Sequence, residues 1–210
     1  MNKLVEEKTV AGKNDSQQGS EESGDVQSRL LDAAEACFAQ YGLAKTTMED
    51  VARSANMSRA TVYRYFENRD DLLMGAVERE ARRTAVVIKD RLEGIEDPGE
   101  YIIEGIVQSL VEIPKHEILS MIHNADAVGL TSRLVLNSER LANVALEFVL
   151  PVIEPAREKG LLRENVDIDS MIEWIYRLLG SYLAVPSTNA TSLEELREQF
   201  RTMLLPALLS

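Results

Sequence analysis

Two helix-start signals eleven residues apart constrain this chain more than any other feature: Thr47-Met48-Glu49-Asp50, which resembles a capping box, and Ser58, with Asn56 between them. A threonine or serine at such a position takes an orphan amide of the first helical turn on its hydroxyl. The first helix then runs to about Ala55 and the second from Arg59 to about Tyr65, which leaves only Ala55 to Met57 to reverse the chain. Asparagine tolerates the left-handed conformation that so tight a turn needs. Two short helices joined by about three residues make a helix-turn-helix, which packs them at a steep angle and leaves the second on the surface.

The flanking sequence reads helical as well. Leu30, Leu31, Ala34, Cys37, Phe38 and Tyr41 recur at three- and four-residue steps and define one helix face, with Gly42 placed to end it. Cys37 sits on that face and reads as a buried core thiol. As the single cysteine it can form no internal disulfide, which fits a reducing cytoplasm. Asn14 to Asp25 holds no apolar residue, so residues 1–25 are expected to be a disordered acidic tail. Downstream, helices are predicted over Asp70–Ile95, Glu100–Ile113, a short segment to about His123, Thr131–Lys159, Ile168–Leu183 and Ser192–Leu208, the last opening on the capping box Ser192-Leu193-Glu194-Glu195. No segment alternates in the manner of a strand. The expected fold is all-α: a three-helix domain with the helix-turn-helix over 26–73, and a larger helical domain over 74–210. No apolar run approaches the roughly 20 residues that span a bilayer, and Met1 to Gly24 carries no export signal.

Charge at first argues against nucleic acid, because 35 acidic residues face 23 basic ones for a net −12, and DNA binding draws its affinity from neutralised phosphates. The distribution changes that reading. Net charge is −3 over residues 1–25, −1 over 26–73 and −8 over 74–210, while Arg53, Arg59, Arg64 and Arg69 against Glu67 give residues 53–69 a local +3. A small positive surface on an acidic body can still dock on DNA; a solvated charged face would have the same composition.

The run from Leu30 to Leu73, LLDAAEACFAQYGLAKTTMEDVARSANMSRATVYRYFENRDDLL, resembles the DNA-binding domain of the TetR (tetracycline repressor) family of bacterial transcriptional regulators. The features that carry the resemblance are Phe38 with Gly42, Thr46-Thr47, Val51-Ala52, Ser58, Thr61, the Tyr63 to Phe66 segment, and Arg69 followed by Leu72-Leu73. Asn56 and Ala60 depart from the glycines the family often has there. In a helix-turn-helix the N-terminal residues of the second helix face base edges, so Arg59 and Thr61 are the candidates for base readout; Arg59 either pairs with guanine or holds a phosphate. Thr47 and Ser58 cap helices whose N-termini suit a phosphate. The resemblance implies that Tyr63 and Tyr65 hydrogen-bond phosphates, that Arg64 lies near DNA, and that Arg69 reaches the DNA backbone from the start of the fourth helix.

For the larger domain the resemblance implies a homodimer, a palindromic operator, and a small apolar or amphipathic effector whose binding releases DNA, most often from a repressor. A ligand-independent regulator or activator that recruits a protein partner is the alternative. The dimer is expected through Ile168–Leu183 and Ser192–Leu208, on the stripes Met171, Ile172, Ile175, Leu178, Leu179, Tyr182 and Leu193, Leu196, Phe200, Met203, Leu204, Leu208; the same stripes would also suit the core of a single chain. The effector pocket is expected to be lined by Ile103, Val107, Leu110, Ile118, Met121, Ile122, Phe148 and Trp174, with polar contacts from His123 and Asn124. Neither a metal nor a cofactor is expected: His116 and His123, seven residues apart, lie about 10 Å apart along a continuous helix, too far for one ion. No phosphate loop, His and Cys cluster or nucleophile elbow suggests an enzyme.

Overall fold

Helix α1 covers Glu6–Tyr41 and so begins well upstream of the expected Val26. The computed structural model describes residues 6–123, 138–185 and 192–210 and divides into two compact units, Met1–Ala76 and Val77–Ser210. Residues 14–25, expected to be a flexible tail, therefore have helical backbone. Lack of apolar residues forecasts lack of burial, but it does not forbid a helix: Glu and Gln are good helix formers, and a helix nucleated downstream gains a bond for each residue added.

In the first unit α1 buries Leu30, Leu31, Ala34, Cys37 and Phe38. Burial pushes the Cys37 thiol pKa up, as suits a core residue. Gly42, at φ +82°, ends the helix with its amide 2.8 Å from the Phe38 carbonyl. The buried Thr46 hydroxyl lies 3.0 Å from the Cys37 carbonyl and 2.9 Å from that of Gly42, stitching the following turn back onto the helix end.

Helix α2 covers Met48–Ser54 and α3 Arg59–Tyr65. Thr47 and Asp50 form a full capping box: Thr47 Oγ1 accepts from the Asp50 amide, and the Asp50 carboxylate accepts from the Thr47 amide at 3.0 Å. Hydrogen bonds from the Thr47 side chain hold the Asp50 carboxyl below the usual carboxylate range. Between the helices, Asn56 takes φ +54°. The Asn56 amide donates to Arg53 and the Met57 amide to Ala52, the paired closure of a Schellman motif. A left-handed conformation costs a residue with a Cβ about 1–2 kcal/mol. Asn56→Gly is therefore expected to raise the thermal midpoint slightly and Asn56→Val to lower stability by at least about 1 kcal/mol; equal midpoints for the two variants in thermal unfolding would contradict this.

Helix α4 covers Arg69–Arg91. It buries Leu72, Leu73 and Ala76, and Gly75 leaves room for Phe66: a Cβ there would stand 2.9 Å from the Phe66 ring. The helix was expected to reach Ile95; it stops earlier because Gly94 adopts φ +86°. Pro98 then opens α5, Pro98–Glu112, at a position where its missing N–H costs nothing, with Asp97 as the cap.

The second unit continues through a 3-10 turn, Ile113–Lys115, α6 at Glu117–His123, α7 at Glu139–Glu158, α8 at Ile168–Ala184, α9 at Leu193–Met203 and α10 at Leu205–Leu208. The long helix expected from Thr131 is described from Glu139, where Ser138 caps it; its expected first residues lie outside the described ones. Pro206 near the start of α10 breaks the last helix expected over Ser192–Leu208. Strand character among the described residues is limited to one antiparallel bridge, Leu162 with Leu209.

Helix α5 lies at the centre of this unit. Its Ile103 and Val107 share one apolar core with Met171, Ile172 and Leu179 of α8 and with Leu196, Phe200, Leu204 and Leu208 near the chain end. Those seven residues, placed above on the dimer stripes, are therefore buried within their own chain. A periodic stripe says that a face is buried but not by what; Leu193, Trp174 and Met203 remain outward, the last 76% exposed.

Two forked ion pairs fasten α9 to α5. Arg197 meets Glu104 through Nε and Nη2, and Arg201 meets Glu100 at 2.8 and 2.9 Å. Bidentate geometry makes these stronger than ordinary surface pairs. The arginine partners hold both glutamate carboxyls below their ordinary value of 4.5. A carboxyl with a lowered folded pKa contributes stability that is present above its unfolded value and lost as pH falls through the folded one. The thermal midpoint is expected to fall below about pH 4.5, and the double variant Glu100→Gln, Glu104→Gln should flatten that dependence. Identical pH profiles for variant and parent would refute this assignment.

Candidate nucleic-acid interface and ligand cavity

Helix α3 buries Val62 alone of its seven residues. Its N-terminal end is formed by Ser58, whose Oγ accepts from the Thr61 amide at 3.0 Å and lies 2.9 Å from Thr61 Oγ1. The two hydroxyls meet outside the helix, on the same exposed end as Arg59. Tyr63 is half exposed, and Arg64 stacks over the Tyr65 ring at 5.1 Å. Thr47, at the start of α2, is exposed as well. Seven candidates, Thr47, Ser58, Arg59, Thr61, Tyr63, Arg64 and Tyr65, thus stand on or beside the outward face of the helix-turn-helix.

Arg69 is placed differently. Its Nη1 donates to the carbonyls of Leu43 at 2.8 Å and Ala44 at 3.2 Å, and its Nη2 meets Asp70 at 3.1 Å. The guanidinium is thereby tied into the turn after α1, where it fixes the start of α4. Charge-assisted bonds of this kind contribute about 1.5–3 kcal/mol when buried and less when half exposed. Arg69→Ala is expected to lower the stability of the first unit by about 1 kcal/mol and to change the salt dependence of DNA binding by less than one phosphate contact. A unit change in salt slope with no change in thermal midpoint would place the side chain on DNA instead.

Folding also changes the local charge. Arg59 pairs with Glu49 at 3.4 Å and Arg53 with Asp50 at 3.8 Å, so α2 delivers two carboxylates that a count over residues 53–69 does not include. Binding to a phosphate or base edge requires Arg59 to exchange Glu49 for it. The pair is exposed on both sides and weak, so the exchange is cheap, while Glu49 remains to repel misplaced phosphates.

The second unit holds a cavity of about 150 Å³. Val77, Ala81, Thr84, Ala85 and Ile88 of α4 form one wall, Tyr101, Ile102, Gly105, Ile106 and Ser109 of α5 another, with Ile122 and His123 of α6, Phe148 of α7 and Ile172, Ile175, Tyr176 and Leu179 of α8 among the rest. Of the residues expected here, Ile122, His123 and Phe148 line it. Ile103, Val107 and Leu110 lie on the other side of α5, in the core shared with α9; α5 is apolar nearly all round, so its sequence cannot tell which face meets a cavity. Ile118 is buried away from the wall and Met121 is half-buried off it, while Trp174 is 42% exposed on the outer side of α8. Asn124 lies outside the described residues. The α4 wall was missed. Its signal is the pair of small residues Ala81 and Ala85 at a four-residue step on a face that otherwise carries larger apolar groups.

The wall's polar groups are largely committed. His123 Nδ1 lies 2.7 Å from the Leu119 carbonyl, and burial pulls the imidazole pKa down, keeping it neutral near pH 7. The Tyr176 hydroxyl donates to Leu141 at 2.7 Å, that of Tyr101 to Phe148 at 3.3 Å, and that of Ser109 to Gly105 at 2.7 Å. Among the described residues the buried Thr84 hydroxyl has no hydrogen-bond partner. His116 meets Glu80 through Nδ1 at 2.6 Å, so each of the two histidines has its own partner.

A surface-mounted second helix on a three-residue turn is the form of a helix-turn-helix DNA-binding domain. Residues 30–75 match the model of the bacterial regulatory proteins of the tetR family. The chain is similar to an uncharacterized HTH-type transcriptional regulator of Mycobacterium tuberculosis, 29% identical over 75% of this chain and 74% of that one. It is also similar to the probable acrEF/envCD operon repressor of Escherichia coli, 26% identical over 67% of this chain and 66% of that one. In fold it matches the crystal structure of a TetR-family transcriptional regulator from Pectobacterium atrosepticum, with a TM-score of 0.62 at 20% identity, covering 90% of this chain and 97% of that one. Residues 30–75 thus carry the DNA-binding domain of that family, and over 75% of its length the chain is similar to an HTH-type transcriptional regulator. None of its described helices is long and apolar enough to cross a membrane.

Proposed function

We propose that the protein is a homodimeric, cytoplasmic repressor that binds a two-fold-related operator and is released from it by a small molecule held in the cavity. The observation that carries the reading is α3, a helix with one buried side chain and with Arg59 and Thr61 outward at its N-terminal end. Arg59 and Thr61 read base edges; Thr47, Ser58, Tyr63, Arg64 and Tyr65 position the domain on phosphates. A single recognition helix gives modest specificity. Two copies, one turn of DNA apart, supply the rest, and the outward Trp174, Leu193 and Met203 of α8 and α9 are the surfaces offered to the symmetry mate.

Helix α4 links ligand to DNA. Its first two turns belong to the first unit, and Val77 to Ile88 line the cavity in the second. A ligand shifts DNA affinity only through unequal affinity for two states of this element. Titration of operator-bound protein with a cavity ligand is expected to lower operator affinity at least about tenfold, a coupling of about 1.4 kcal/mol. Unchanged affinity at saturating ligand would refute the regulatory half of the proposal and leave the DNA-binding half intact.

A further inference from the structure

The cavity's chemistry selects a class of ligand, an inference that rests on the reading of the cavity as an effector site. Among the described residues its wall carries no Asp, Glu, Lys or Arg. An ionised ligand would enter without a counter-charge, and burying an unpaired charge costs far more than one hydrogen bond returns. Size sets a second limit, since an apolar cavity of about 150 Å³ is known to hold benzene.

Hydrogen-bond polarity sets a third. The carbonyl of Leu119 can only accept, so His123 Nδ1 beside it is the protonated nitrogen, and Nε2 of the neutral ring is left as an acceptor. The hydroxyl hydrogens of Tyr101, Ser109 and Tyr176 are likewise engaged on backbone carbonyls, which leaves oxygen lone pairs. Thr84 is the exception, with a buried hydroxyl that meets no partner among the described residues; in a helix threonine divides between two χ1 rotamers, so this group can turn toward a guest. The wall is apolar apart from a few acceptor atoms and one hydroxyl in need of a partner.

We propose that the cavity takes an uncharged ligand of about one-ring size that donates a hydrogen bond, such as a phenol or cyclic alcohol, with the Thr84 hydroxyl as one of its partners. A ligand hydroxyl can donate to the wall while accepting from Thr84. An ether or ester has nothing to donate, and a carboxylate has neither a donor nor, among the described wall residues, a counter-charge.

The test is direct binding to the full chain without DNA, by calorimetry, using phenol, anisole and benzoate as probes. Phenol is expected to bind saturably and about tenfold more tightly than anisole, the factor one net hydrogen bond supplies, with benzoate weaker still. Thr84→Val should lower phenol affinity about tenfold, and that of anisole as well because an ether oxygen also accepts from Thr84, while Thr84→Ser should keep the parent's preference. Anisole or benzoate binding as tightly as phenol, or no saturable phenol binding at millimolar concentration, would overturn the class. Phenol affinity unmoved in Thr84→Val would overturn the role of Thr84. Because DNA is absent, the outcome is separate from that of the regulatory reading: phenol that binds without releasing operator refutes that reading alone, and a charged effector that releases operator refutes this inference alone.

Discussion

Replacing Phe66 with alanine should unfold the DNA-binding unit at temperatures where the second unit remains folded. Phe66 is 3% exposed at the junction of α3 and α4, its amide closes α3 onto the Val62 carbonyl at 3.0 Å, and its ring fills the space that Gly75 leaves open. Removing a buried phenylalanine costs about 3–5 kcal/mol. A whole domain is stabilised by only about 5–15 kcal/mol, and a unit of this size belongs near the lower end. Calorimetry should show one transition moving strongly downward and the other staying within a few degrees. A parent-like profile, or both transitions shifting together, would show that Phe66 does not have this local role.

Arg59→Ala should weaken binding to the selected operator by about 1–3 kcal/mol, roughly 5- to 150-fold, while changing affinity for random DNA much less. The side chain leaves the N-terminal end of α3 with Glu49 as its partner at 3.4 Å. Its removal also leaves the Glu49 carboxylate uncompensated near phosphates, which lowers binding to every sequence. The double variant Glu49→Gln, Arg59→Ala separates the two effects, since neighbouring charges do not act additively. Equal losses on operator and random DNA that Glu49→Gln restores would assign Arg59 to neutralising Glu49 and remove it from base readout.

Much of the first unit was legible in the sequence because its signals are local. Caps at Thr47 and Ser58 and the turn residue Asn56 each act within four residues of themselves, and the structure forms each of them as read. Features set by what packs against a residue were not legible. Arg69 reaches Leu43 and Ala44 across more than twenty residues, and Glu49 approaches Arg59 only once the turn has closed. The same holds in the second unit. Periodicity identified the buried faces of α5, α8 and α9, but Ile103 and Val107 face α9 while Ile102 and Ile106 face the cavity, a distinction of one helical step that only neighbouring helices decide. In the tail, the helical backbone from Glu6 departs from the expected disorder, because helix propensity and extension from a packed segment act without apolar residues.

Operator recognition by paired α3 helices is tested by selecting bound duplexes from a random pool with the full chain and sequencing the enriched set. The enriched sequences are expected to carry two inverted half-sites whose centres lie one helical turn apart, about 34–36 Å, or a multiple of it, and Arg59→Ala is expected to lose that enrichment. An enriched set without two-fold symmetry, the same set recovered with Arg59→Ala, or no enrichment over the starting pool would contradict recognition by paired helices.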